Sequence, residues 1–92
     1  MPVTIKLMGD LRRFADSETV EIAGGGCTLG AAIDEVVRRH PRLGEQLFDD
    51  QGRLRYTTLL IIAGHSATWP QDRDRLIEDG GELLLMRFVA GG

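Results

Sequence analysis

The chain has 92 residues and a formal net charge of −3, with 42% hydrophobic residues, 27% charged residues and a single cysteine. That length supports one modest core and not two, and an acidic balance with no basic block and few aromatics excludes a nucleic-acid-binding face. One cysteine rules out an internal disulfide or a multi-cysteine metal or iron–sulfur site, and two histidines at distant positions make a protein-only zinc site unexpected.

Val3, Ile5 and Leu7 alternate with Thr4 and Lys6, the period of a half-buried strand. This start lacks the basic-then-apolar layout of a signal peptide, and no later run approaches the roughly 18 apolar residues of a membrane span. A cytoplasmic protein with no membrane partner is expected. Gly9-Asp10 breaks the strand, and Leu11 and Phe14 are expected to fold back onto the core. Thr19 to Ala23 alternates again, as a second strand hairpinned to the first. Gly24-Gly25-Gly26 lacks both the Gly-Lys-Ser/Thr ending of a P-loop and the G-x-G-x-x-G spacing, so it is read as a flexible strand-to-helix connector and not a phosphate cradle.

Thr28 is the expected N-cap of a helix. Leu29, Ala32, Ile33, Val36 and Val37 then form one apolar stripe, with Asp34–Arg38 and Glu35–Arg39 as i,i+4 pairs on the wet side. Pro41 ends this helix at His40. Leu43, Leu47 and Phe48 suggest a short helical turn, and Asp49 to Gly52 a surface loop. The run Leu59 to Ala63 predicts a strand covered on much of both faces. Gly64-His65-Ser66 is the expected turn, followed by a short edge strand at Ala67 to Trp69 that Pro70 stops. Gln71 to Glu78 suggests a helical turn, Asp79-Gly80-Gly81 a tight turn, and Glu82 to Val89 a last strand apolar on both faces. The order β-β-α-β-(β)-β favours an α+β fold, a mixed sheet of four to five strands packed on one main helix. The last strand should lie centrally beside the first, as in the ubiquitin-like β-grasp. One domain over residues 1–90 and a flexible tail at 91–92 are expected.

Gly91-Gly92 has little to offer a fold, because glycine loses the most entropy on ordering and packs no side chain. Its use is thinness: an extended dipeptide without side chains can enter a narrow channel and present a carboxylate. The chain resembles the ThiS/MoaD family of ubiquitin-like sulfur carriers over nearly its whole length. The likeness is carried by Gly9-Asp10-Leu11-Arg12-Arg13-Phe14, by Thr28-Leu29-Gly30-Ala31-Ala32-Ile33, by Asp79-Gly80-Gly81-Glu82 and by Val89-Ala90-Gly91-Gly92. The helix opening and the Val-Ala-Gly-Gly terminus are most similar to the CysO-like branch. Arg87-Phe88 stands where many members have proline, and Asp49 to Thr58 is longer than in the shortest ones, which leaves the acceptor open.

The resemblance implies a protein substrate with no catalytic residues and no bound cofactor. An E1-like partner would spend ATP and magnesium to adenylate the Gly92 carboxylate, and a persulfide or sulfide donor would displace AMP to leave a thiocarboxylate for an acceptor synthase. Gly91 would be needed bare for entry to the partner's site. Ending at Gly92 implies that no trimming is needed. Arg87, Phe88, Val89 and Ala90 are candidate docking residues, with Leu60, Ile62 and Met86 weighed as either docking patch or core and read as core. Cys27, His40, His65 and Trp69 are read as structural. Two other functions fit the same residues: a modifier joined to lysines through Gly92, and a non-covalent binding subunit that makes no use of the tail. A ferredoxin-type β-grasp is excluded for want of cysteines.

Overall fold

The computed structural model describes residues 1–88. Seven strands and two helices follow in the order β1 (Val3–Leu7), β2 (Thr19–Ile22), β3 (Cys27–Thr28), α1 (Leu29–Arg39), α2 (Pro41–Leu47), β4 (Thr58–Ile62), β5 (His65–Ala67), β6 (Leu76–Ile77) and β7 (Glu82–Arg87). A 3-10 helix, Gly9–Phe14, joins β1 to the chain before β2. The main sheet runs β2-β1-β7-β4-β5, and β3 with β6 makes a separate two-stranded ribbon. β7 lies parallel to β1 (Ile5 opposite Leu83) and antiparallel to β4 (Leu60 opposite Leu85), so the final strand occupies the centre. This is the β-grasp arrangement expected from the element order. The expected domain and tail boundary at residues 90 and 91 lies outside the described residues.

The alternation in β1 is realised as read. Val3, Ile5 and Leu7 are buried and meet Leu83 and Leu85 of β7, Leu60 and Ile62 of β4, and Leu29, Ile33 and Val36 of α1 in one core. Leu11 of the 3-10 helix is wholly buried, and Phe14 packs against the same core. Thr28 caps α1, its Oγ1 accepting from the Ala31 N–H at 3.1 Å. The next free donors of that helix end, Leu29 N–H and Gly30 N–H, are bound by the carbonyls of Arg75 (2.9 Å) and Arg73 (2.8 Å). The helix start is therefore occupied by the chain itself, which supports reading the three glycines as a connector.

One local expectation is extended and three are corrected. Pro41 does end α1, but it also begins α2, whose φ a proline suits at a first position. The two helices meet closely because residue 44 is glycine: a Cβ there would stand 2.9 Å from Val37 Cγ1. The turn after β4 begins one residue early and takes only Ala63 and Gly64, both with positive φ (50° and 80°), so His65 and Ser66 belong to β5. Gln71 to Glu78 is not helical; it continues a turn over residues 69–74 and then forms β6 against β3. Arg38 and Arg39 both bind Glu35 (2.5 and 2.6 Å), and Arg38 makes no pair with Asp34. This double pairing holds the Glu35 carboxyl down at a pKa of about 2, the hydrogen bond from Arg38 being the main cause and that from Arg39 the next.

Candidate functional site: the open sheet face and the strand that leads to Gly92

The helices cover only one side of the sheet. In β4 the buried residues are Thr58, Leu60 and Ile62, while Leu59 is 38% exposed and Ile61 half-buried. In β7 Leu83 and Leu85 are buried, and Leu84 and Met86 stand half-buried on the opposite side. The expectation that β4 is covered on much of both faces is therefore wrong, while β7 is apolar on both faces as read; both strands are packed on one face only. Cross-strand register puts Leu59 opposite Met86 and Ile61 opposite Leu84, a contiguous block of four apolar side chains on the open face. Lys6, opposite Leu84 on the other flank, pairs with Glu82 at 3.4 Å, so the β1 side of this face is charged while the β4 side is apolar.

Among the residues expected to dock a partner, Leu60 and Ile62 are core, as read. Met86 was also read as core and instead belongs to the open block. Phe88 follows Leu84 and Met86 at the strand period, is 45% exposed, and its N–H donates to the Thr57 carbonyl at 3.0 Å. Val89, Ala90, Gly91 and Gly92 lie outside the described residues. Leu59, Ile61 and Leu84 were missed as site residues. Their signal was parity: they alternate with Leu60, Ile62 and Leu85, and one helix long enough to span a sheet covers a single face.

Arg87 has another role than the one expected of it. Its side chain is only 18% exposed and turns to the helical side, where the guanidinium binds the Asp10 carboxylate and the Gln46 side-chain oxygen. It also stands 5.7 Å from the centre of the Phe14 ring, within cation–π range. The charge is thus committed inside the fold, between the 3-10 helix, α2 and the end of β7. Two letters of the Gly9–Phe14 motif, Asp10 and Phe14, are explained by it: they anchor the strand from which residues 88–92 depart.

Cys27 lies in β3, partly buried, and burial pushes its thiol pKa up rather than down. That suits a packing residue and not a nucleophile. Trp69 covers a core edge, its ring 5.8 Å from that of Phe48 in an edge-on arrangement. Among the described residues no group of three or more His, Cys, Asp or Glu side chains is placed to hold a metal ion, and no helix is long and apolar enough to cross a membrane.

The small archaeal modifier protein 1 of Haloferax volcanii is 34% identical to the chain over 88 residues, covering 95% of the chain and 97% of that protein. The chain belongs to this family of ThiS/MoaD-type ubiquitin-like proteins. A crystal structure of the Haloferax protein superposes with a TM-score of 0.82 at 32% identity, each chain covered in full. The CysO of Amycolatopsis orientalis, solved in a BexX/CysO complex, gives a TM-score of 0.76 at 24% identity over 98% of this chain and 99% of that one, a likeness of fold. No protein-family model matches the chain. The relative that shows the family is a small archaeal modifier protein, so the chain is a member of a family of small ubiquitin-like modifiers.

Proposed function

We propose that the chain is a sulfur carrier, loaded as a thiocarboxylate at Gly92 by an E1-like adenylating enzyme. One observation supports this above the others. The strand that leads to the Gly-Gly sequence is central, pinned at its end by Arg87, and exposes Leu84, Met86 and Phe88 to a partner. An enzyme that covers this face therefore holds the root of the tail at a fixed place relative to its own active site. Such positioning removes much of the entropic cost of bringing a carboxylate to ATP.

A carboxylate is a poor electrophile, since its charge repels nucleophiles and oxide does not leave. In the proposed sequence a Gly92 oxygen attacks the α-phosphorus of ATP, the bond to pyrophosphate breaks, and an acyl-adenylate forms. Sulfide then adds to the carbonyl carbon and AMP departs, leaving the thiocarboxylate. If the donor is a persulfide, a further thiol cleaves the resulting S–S bond and is itself oxidised to a disulfide. Gly91 without a side chain leaves room for the approach. Magnesium, ATP and the catalytic groups belong to the partner, and the compartment that fits is the cytoplasm.

A second reading is favoured by one specific observation, the modifier named in the relative that is 34% identical. There the same acyl-adenylate is taken to an isopeptide on a lysine of another protein. The test is C-terminal-peptide mass spectrometry after incubation with an adenylating enzyme of the same cell, ATP and sulfide, with thiol-directed alkylation to separate sulfur gain from methionine oxidation. Oxygen replaced by sulfur at Gly92 is the expected result. Higher-mass conjugates through Gly92, with no sulfur gain, would establish the modifier instead. Activity that survives removal of Gly91 and Gly92 would leave only a binding subunit.

A further inference from the structure

The helical side of the molecule carries a second surface, apart from the open sheet face. α1, α2 and the loop after α2 border an open cleft of about 560 Å³, with Trp69 also in its lining. Its apolar lining includes Val37, Phe48 and Trp69, and Gly44 lets α1 and α2 approach closely beside it. Its rim carries the carboxylates of Asp34, Glu45, Asp49 and Asp50 against the guanidinium of Arg55, and the Arg73 guanidinium stands 5.8 Å from the centre of the Trp69 ring. Asp49 is engaged locally, accepting the N–H groups of Gln51 and Arg53 at 2.9 Å each, which holds its pKa below the ordinary value. Asp34, Glu45 and Asp50 are exposed, and none of them takes part in an ion pair among the described residues. Asp34 is left free because both neighbouring arginines turn to Glu35.

The geometry points to this cleft as the seat of a basic segment of a partner protein, one that inserts a single large apolar side chain and sets Arg or Lys on either side. An apolar base within a ring of free carboxylates complements that pattern in both shape and charge. A small-molecule pocket of this size orients its ligand with a few convergent polar groups. Here the charged lining is Asp34, Glu45, Asp49, Asp50 and Arg55, four acids against one base, a balance that suits a cationic segment. The cleft lies on the helix-covered side, away from Leu59 and Met86, so a segment bound in it leaves the open sheet face free. Two partners can then be held at once.

Trp69 is the sole tryptophan and lies at the cleft, so its fluorescence reads occupancy. The probe is the peptide acetyl-Arg-Lys-Leu-Phe-Arg-Lys-amide, titrated against the full chain. Two controls accompany it, one with Gly-Ser for Leu-Phe and one with Glu for every basic residue. The expected result is a saturable change with the probe, at least about tenfold tighter than with either control, since each control lacks either the apolar anchor or the opposite charge. Amide shifts should map to Val37, Gly44, Phe48 and Trp69. The exposed double variant Asp34→Lys/Asp50→Lys should weaken the probe about tenfold, as expected when two rim attractions become repulsions. Equal binding of the Gly-Ser control, shifts centred on Leu59 and Met86, or no saturable change up to millimolar peptide would each overturn the proposal. So would concentration-dependent dimerisation through the cleft, which would make a second copy its occupant.

Discussion

The two faces of the sheet are written in nearly the same letters and do different things. Leu83 and Leu85 look toward α1 and are wholly buried, whereas Leu84 and Met86, interleaved with them in the same strand, remain half open. Leu60 and Leu59 repeat the contrast one strand away. Apolar composition thus marks what a face prefers to meet, and only the covering layer decides whether it meets it within the chain. In a small domain with one long helix, an uncovered apolar block of this kind is the sort of surface that association uses.

The sharpest way to break that contrast is to truncate one residue from each face. Leu85→Ala should lower stability by about 2–5 kcal/mol, the usual cost of a buried leucine cavity. Leu59→Ala should stay within about 1 kcal/mol of wild type. Urea unfolding of both variants checks this, and equal losses would mean that the two faces are equally packed. Next in size, Leu59→Asp should reduce kcat/KM for adenylate formation about tenfold or more, as a charge placed in an apolar contact does. Its melting temperature should hardly move, and pyrophosphate exchange with the activating enzyme gives the rate.

The end of β7 belongs to the covered side by its contacts, even though it leads to the open one. Arg87→Ala should cost about 1–2 kcal/mol, less than a fully buried pair because Asp10 and Arg87 both retain some solvent. Asp10→Asn should be milder, and the double variant should fall short of the sum, the mark of a direct interaction. The smallest effect concerns Glu35, on the wet face of α1. Its carboxyl pKa is lowered from 4.5 to about 2, so the stabilisation it confers is complete above about pH 4.5 and is lost as pH falls through 2. Melts of wild type and Glu35→Gln should therefore differ at pH 6 and converge near pH 2.

Much of this architecture could be read from residues close in sequence. Alternation in Val3–Leu7, the cap at Thr28 and the stripe from Leu29 to Val36 are local signals, and the order of elements left one economical sheet. The parts that were misread depend on contacts between distant residues. β6 is two residues long and exists because its backbone meets Cys27 and Thr28, with no periodicity to announce it. The partners of Arg87 lie 41 and 77 residues away, so a charged residue before the tail looked free to dock. On the open face the exposure of Phe88 was legible in the sequence, while Leu59, Ile61 and Leu84 needed the strand pairing before theirs could be known.

The central place of β7 also governs when the molecule can form. β1 and β4 are not neighbours; each pairs with β7, which is made after both. A chain still growing on the ribosome can hold the β1–β2 and β4–β5 hairpins, but it has no way to join them until residues 82–87 emerge. Pairing over so long a stretch is slow, because loop closure precedes its reward. Assembly of the sheet is thereby deferred until residues 82–87 have emerged, so a chain truncated before them lacks the open apolar face.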